Sequence, residues 1–251
     1  MEELLRAGGE ADARLPLSGY SALELLAEYV PCADSAACGA ALLRAGARPA
    51  CTKVKSCSCR AVDVAGKKGN AALFGALLEA GASPAPIALN MRAGDHMQSL
   101  NYLSLACERG HAGVLRLALA AGCSPNTRCC QWGAPPLLCL ALYFGHEACA
   151  SLLLAQPGIE VNVVYPVKGK SRNGVVIGAM IQQPEGEVPI EYPMGGLVGE
   201  DLCALSIAMG SNQRQVAQPR MVAALLALGA KTAQELGGRG HFTLTFGSLS
   251  K

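Results

Sequence analysis

The chain has 251 residues, of which 51% are hydrophobic, 16% are charged and 4% are aromatic, and its formal net charge is +2. So small a net charge gives no strong attraction to nucleic acid or acidic lipid, and no apolar run reaches the length of a membrane span. Residues 1–9 lack the shape of a signal peptide. We therefore expect an intracellular protein, cytoplasmic with the nucleus left open, that binds neither nucleic acid nor membrane.

The chain begins with half of a unit that recurs later. Residues 4–9 read Leu-Leu-Arg-Ala-Gly-Gly and parallel Leu-Leu-Arg-Ala-Gly-Ala at residues 42–47. We interpret residues 1–16 as a partial repeat, or as an N-terminal cap with the polar outer face that the end of an elongated array needs.

A first complete helix pair is predicted at residues 17–52. Its apolar stripes indicate helices at Ala22–Tyr29 and Ser35–Ala45, because apolar residues recur there at helical spacing. Asp34 or Ser35 is predicted to cap the second helix, since a short polar side chain can accept a bond from the first backbone N–H groups.

Two more helix pairs are predicted at residues 53–98 and 99–132. In the earlier pair, Asn70 is expected to cap a helix at Ala71–Ala80. The later pair is the clearest unit of the chain, because a Gly-His turn separates its two apolar stripes. Gly122 follows the second stripe and suits the left-handed backbone position that ends a helix.

A fourth pair is predicted at residues 133–162, and residues 163–200 then interrupt the pattern. The interruption is rich in proline and glycine, and an Asn-Gly turn signal lies between two strand-like stretches at Val161–Val167 and Val175–Ile181. We interpret it as a hairpin-like finger. A long insertion is often functional, but a tolerated insertion without a role is the alternative.

The last pair is predicted at residues 201–232, with Pro219 in the first turn of its second helix, and residues 233–251 form a C-terminal cap or tail. Steps of 35, 41, 36 and 71 residues separate the glycines that end the second helices, Gly46, Gly81, Gly122, Gly158 and Gly229. Helix pairs repeated at such a period bury their apolar faces against one another in a solenoid. The predicted fold is therefore all-α, with helix-turn-helix units and a hairpin-like insertion.

The unit resembles the ankyrin repeat, whose pattern is Thr-Pro-Leu-His-x-Ala-Ala-x-x-Gly-His, a leucine-rich second helix, and then Gly-Ala-x-x-Asn. The third pair matches this pattern at Leu103, Ala106, Gly110, His111 and Asn126. The fourth matches at the corresponding positions Leu138, Ala141, Gly145 and His146. The resemblance covers nearly the whole chain and implies a single array of about five repeats over residues 1–251.

The resemblance also implies a site. In ankyrin repeats the loop tip before the first helix and the two residues before Gly-His face a partner on the concave side. Carried over by position, the candidate residues are Lys67, Lys68, Met97, Gln98, Glu108, Arg109, Trp132, Tyr143 and Phe144, with Tyr20, Glu28 and Tyr29 at the same places in the first repeat. Trp, Tyr and Arg often anchor interfaces. The alternative is that Tyr143 and Phe144 pack beneath the insertion.

The sequence predicts no catalytic residue, cofactor or metal site. His111 and His146 follow turn glycines, where the resemblance implies that their rings bond the backbone of a neighbouring loop. The cysteines on predicted helices are expected to be buried thiols. Two alternatives for other cysteines stay open. One is a zinc site at Cys51, Cys57 and Cys59, and the other is a redox-sensitive pair at Cys129 and Cys130.

The function that follows is a non-catalytic protein-interaction or scaffold module, expected to be monomeric, with an unidentified protein as its partner. The alternative is a regulatory ankyrin segment of a larger enzyme such as a kinase or ubiquitin ligase, because residues 1–16 read as the second half of a repeat.

Overall fold

The computed structural model of the chain describes residues 9–16, 20–29, 33–49, 61–85, 101–128, 135–166, 201–210 and 218–237. These residues are largely helical. The chain divides into two compact units, Met1–Ile159 and Glu160–Lys251. Among the helices of the described ranges, none is long and apolar enough to cross a membrane.

The described part of the first unit contains four helix pairs. They are α1 (Ala22–Tyr29) with α2 (Ala33–Arg44), α3 (Ala61–Lys68) with α4 (Ala71–Glu79), α5 (Tyr102–Arg109) with α6 (Ala112–Ala120), and α7 (Leu137–Tyr143) with α8 (Glu147–Leu154). The first helices α1, α3, α5 and α7 pack one on the next and form the first layer. The second helices α2, α4, α6 and α8 form the second layer in the same way. The predicted all-α solenoid is confirmed.

The core of this unit lies between the two layers. Helices of seven to twelve residues are marginal in water by themselves, so burial of their apolar faces must hold them. Leu73, Leu103, Leu115 and Leu138 are fully or almost fully buried. Each such side chain removed from water stabilises the fold by about 1.5–3 kcal/mol. Stacked short helices are thus stable only as an array.

Local polar contacts fix where the helices begin. Asn70 Oδ1 accepts the backbone N–H of Leu73 at 3.1 Å, which confirms the predicted cap of α4. The predicted cap of α2 was wrong, because this helix begins at Ala33 and takes both Asp34 and Ser35 into its first turn. The Ser35 side chain is buried there and accepts a hydrogen bond from Asn70 Nδ2 at 2.6 Å. The Ser35 side chain, which was expected to cap α2, thus accepts a hydrogen bond from the next repeat instead.

Glycines end α2, α4 and α6 as the sequence predicts, whereas α8 ends at Leu154, before the predicted Gly158. Gly122 has a φ of 89°, and the N–H of Cys123 donates to the carbonyl of Ala118 at 3.0 Å. This is the bonding of a left-handed helix end, which satisfies carbonyls that the helix itself leaves unpaired. The same bonds recur after Gly46 and Gly81.

The described part of the second unit contains one helix pair and two short strands. The helices are α9 (Ala204–Ala208) and α10 (Pro219–Ala227), and Pro219 occupies the first turn of α10 as predicted. Asn162 Nδ2 donates to the Gly229 carbonyl at 3.0 Å, and Asn162 Oδ1 accepts the N–H of Lys231 at 2.7 Å. One side chain thus ties the start of this unit to the loop after α10.

The two ends of the insertion are paired. Strand β1 (Tyr165–Pro166) lies antiparallel to β2 (Asp201–Leu202). The predicted strand at Val161–Val167 is therefore only two residues long, and its observed partner is the start of the last repeat. The predicted partner strand at Val175–Ile181 lies outside the described residues, as do residues 1–8 of the partial repeat and 238–251 of the tail. The repeat boundaries stay predictions.

Candidate partner-binding face

The candidate face lies where the first-layer helices end. We call it the helix-end face and define it by the two positions that precede each turn to the second layer. These positions are held by Glu28 and Tyr29, Lys67 and Lys68, Glu108 and Arg109, and Tyr143 and Phe144. Because the repeats stack, the four pairs of side chains follow one another along one edge of the first unit.

Histidine rings fix the turns beside this face. His146 Nε2–H donates to the carbonyl oxygen of Glu108 at 2.8 Å, and the His111 ring bonds the backbone of Lys67. Each ring therefore reaches back to the preceding repeat and holds a residue of the helix-end face. The predicted role of both histidines is confirmed.

One ion pair crosses between repeats on the helix-end face. Lys68 Nζ lies 2.6 Å from Glu28 Oε1, and each side chain is 33% exposed. A pair this open to solvent contributes about 0.2–1 kcal/mol to stability. Tyr29, beside Glu28, is 73% exposed. The first two repeats thus present a neutralised charge pair next to an uncovered ring.

Glu108 has a different environment. Its side chain is half-buried, and Oε2 has no hydrogen-bond partner among the described residues. Burial raises the pKa of the Glu108 carboxyl above its ordinary value, and the nearby Arg109 guanidinium offsets only part of this rise. Arg109 is itself exposed. The face therefore holds a desolvated carboxyl group beside a solvated cation.

Two aromatic rings occupy the same positions in the fourth repeat. The rings of Tyr143 and Phe144 meet edge to face, with centroids 5.2 Å apart at 80°. Tyr143 is 7% exposed and Phe144 is half-buried. Tyr143 is thus largely removed from solvent, and its ring supports that of Phe144. Phe144 is the ring of this pair that solvent reaches more easily.

Comparison with known proteins bears on the fold. No protein-family model matches the sequence, and no curated protein matches it. Among 191 matching chains of solved structures is that of the crystal structure of the human ASB11 ankyrin repeat domain. The similarity has a TM-score of 0.57 and 19% sequence identity, and it covers 93% of this chain and 81% of that one. The chain has the ankyrin-repeat fold.

The predicted site has nine residues, and the structure describes six of them. Met97, Gln98 and Trp132 lie outside the described residues, so their place on the helix-end face stays a prediction. The remaining six, Lys67, Lys68, Glu108, Arg109, Tyr143 and Phe144, are brought together at the ends of three consecutive first-layer helices.

The ion pair between Glu28 and Lys68 was not foreseen. The sequence does contain a signal for it, because opposite charges stand at adjoining positions of the face in two successive ankyrin repeats. That signal can be recognised once the repeats are aligned by the ends of their first helices rather than by the glycines that follow their second helices. Alignment by the turn glycines alone fails in the first repeat, where Val30 replaces the glycine.

Two cysteines within the described residues are held as thiols by burial. Burial raises the pKa of the thiols of Cys107 and Cys149, which keeps both in the protonated, weakly nucleophilic form. No group of three His, Cys, Asp or Glu side chains in the described ranges could hold a metal ion. The proposed zinc and redox cysteines, Cys51, Cys57, Cys59, Cys129 and Cys130, lie outside these ranges.

His111 should make the stability of the array depend on pH. Burial and the Arg109 charge lower its pKa below the ordinary 6.5, so the unfolded chain binds a proton more readily than the folded one. The contribution of neutral His111 is present above pH 6.5 and is lost as pH falls from 6.5 through the lower folded pKa. We expect the free energy of unfolding, measured by urea titration, to decrease as pH falls through this window.

The matched control for this prediction is His111→Asn, because Asn70 holds the same position in the preceding repeat. The variant should lose the pH dependence assigned to His111. Glu108 acts in the opposite sense, since its raised pKa gives a contribution that is present below pH 4.5 and lost as pH rises through the folded pKa. The chain with His111 and the His111→Asn variant should therefore both be measured in a Glu108→Gln background. An unchanged slope in His111→Asn would contradict the assignment.

Proposed function

We propose that this chain is a non-catalytic protein-interaction module of the ankyrin-repeat family, and that its helix-end face holds a partner protein. The observation that carries the proposal is the variety of chemistry at equivalent positions. Three consecutive repeats place Lys-Lys, Glu-Arg and Tyr-Phe at the same two sites, while the helices behind them keep the same apolar pattern. Constant packing beneath a varied surface is typical of recognition.

The turns also support recognition. Contacts from His111 and His146 to the backbone fix the face residues of the preceding repeats before any partner arrives. Fewer backbone conformations are then lost on binding, so more of the contact energy contributes to affinity. We propose that the face lies on the concave side of the array, as the family resemblance implies, and that the chain acts as a monomer.

Arg109 offers the clearest test of this function. It is exposed at the end of α5, so charge reversal should leave the core intact. Arg and aromatic residues commonly dominate interface energies, and loss of one can cost about 2 kcal/mol or more, which is a factor of about 30 in affinity. We expect Arg109→Glu to weaken binding of the partner by at least about tenfold.

The matched control is Arg116→Glu, which makes the same charge change on an exposed residue of the second-layer helix α6. The partner would first be identified by proximity labelling with the intact chain and then titrated against purified wild-type and variant proteins. Equal losses of affinity in Arg109→Glu and Arg116→Glu would indicate a general charge effect. Unchanged affinity in Arg109→Glu would exclude this part of the helix-end face from the binding site.

A further inference from the structure

Charged and aromatic side chains follow a diagonal register along the helix-end face. Glu28, at the first face position of its repeat, pairs with Lys68, at the second face position of the next repeat. The 2.6 Å distance between Lys68 Nζ and Glu28 Oε1 shows that these two positions adjoin across a repeat boundary. By position, the next diagonal holds Lys67 and Arg109, and the one after holds Glu108 and Phe144.

The third diagonal lacks the cation that the first one has. Phe144 stands at the position of Lys68, and Glu108 stands at the position of Glu28. The bond from His146 Nε2 to the Glu108 carbonyl confirms that these two repeats adjoin at this point. Glu108 Oε2 is buried and has no hydrogen-bond partner within the described ranges. By this register, Glu108 has an aromatic ring at the position where Glu28 has the ammonium group of Lys68.

The middle diagonal has the opposite character. Lys67 and Arg109 are both cations, and no ion pair to an acidic side chain is found for either among the described residues. Two adjoining positive charges favour a negative group between them. The two diagonals therefore favour groups of opposite sign, one repeat apart.

We propose that the helix-end face binds an extended segment of a partner protein whose arginine or lysine enters between Glu108 and Phe144 and whose acidic residue meets Lys67 and Arg109. The proposal rests on the proposed function and specifies the partner's chemistry. Packed helices lie about 8–10 Å apart, and an extended chain rises about 3.3 Å per residue. The acidic and basic residues should thus be about three positions apart.

The chemistry of the third diagonal suits a basic side chain. Its cation can bond the half-buried Glu108 carboxylate while its flat or aliphatic part lies against the Phe144 ring, combining a charge-assisted hydrogen bond with a cation–π contact. Arginine fits best because its planar group can do both at once. The raised pKa of Glu108 agrees with this geometry, since it marks a carboxylate that burial has separated from water without supplying enough positive charge to compensate.

A peptide library tests the proposal even though the partner is unidentified. Random twelve-residue peptides displayed on phage would be selected on the intact, purified chain, and one enriched peptide would be synthesised as the probe. We expect enriched sequences to carry an acidic and a basic residue about three positions apart. Glu108→Gln should weaken the probe about tenfold, the change that corresponds to losing about 1.4 kcal/mol.

Two controls separate the possible results. Glu79→Gln removes an exposed carboxylate from the second-layer helix α4 and should leave affinity unchanged, and urea titration should show that Glu108→Gln is folded. Probes that weaken with Arg109→Glu but not with Glu108→Gln would overturn this inference and leave the proposed function standing. A probe whose affinity neither variant changes would overturn both this inference and the proposed function. A library that yields no binder would overturn the proposal that the face binds a linear segment.

Discussion

Replacement of Gly66 by alanine is expected to destabilise the first unit by about 1–3 kcal/mol, the usual cost of overpacking a core. Gly66 is buried in α3, and a methyl group there would lie 2.6 Å from Cδ2 and 2.9 Å from Cγ of the Tyr102 ring. Real Cβ atoms do not approach ring carbons so closely. Either the ring or the helix must therefore move.

The Tyr102 ring has no room to move. It is 1% exposed and packs against Phe74 with ring centroids 5.3 Å apart, and its hydroxyl donates to the carbonyl oxygen of Pro84. The added methyl group must then separate α3 from α5, which are neighbours in the first layer. The loss should appear as a lower urea midpoint with an unchanged slope, because overpacking changes stability rather than the area exposed on unfolding.

Gly75 supplies the matched control, because it lies in α4 of the same repeat. An added Cβ there would meet only Leu117 Cδ1, at an ordinary contact distance of 3.6 Å. Alanine is favoured over glycine inside a helix by about 1 kcal/mol, so Gly75→Ala should be neutral or stabilising. Opposite signs for the two variants would support close approach of α3 and α5. Equal or greater stability of Gly66→Ala would contradict it.

Much of this fold could be predicted because its determinants are local. The cap at Asn70 and the left-handed turn at Gly122 each depend on a few neighbouring residues, and Pro219 opens α10 for the same reason. The period then required the pairs to stack, since helices this short cannot bury their apolar faces alone. Local signals repeated at one period are enough to predict a solenoid.

The candidate site and the start of α2 were harder to predict because their features depend on adjoining repeats. The hydroxyl of Ser35 is held inside α2 by Asn70, and no local pattern predicts that contact. Burial of Tyr143 likewise follows from the elements packed around α7 rather than from its neighbours in sequence. The resemblance could name positions on the face, but the environment of each side chain is set across a repeat boundary.

The largest effect at the helix-end face is expected from Gly110→Ala. Gly110 has a φ of 75°, a region in which an alanine costs about 1–2 kcal/mol. Its added Cβ would also lie 2.6 Å from Nδ1 and 2.9 Å from Cε1 of the His146 ring. The ring would have to leave its place, and the 2.8 Å bond to the Glu108 carbonyl would be lost with it.

Gly145 separates the two costs, because it has the same φ of 75° but no atom within 4 Å of an added Cβ. Gly145→Ala should lose only the stability that the strained backbone costs, whereas Gly110→Ala should lose about 1–3 kcal/mol more through displacement of the ring and loss of its hydrogen bond. Urea unfolding of the two variants measures the difference. If the two variants lose equal stability, the His146 ring is not held against Gly110.

A double-mutant cycle assigns the extra cost to His146. Once His146→Ala has removed the ring, Gly110→Ala should lose no more than Gly145→Ala does, because only the left-handed backbone remains to be strained. The same cycle bears on recognition, since the ring fixes the backbone of Glu108. A probe that needs the Glu108 carboxylate should bind His146→Ala more weakly than wild type, although that variant keeps every charged side chain of the face. Unchanged affinity would mean that the turn stabilises the array without orienting the site.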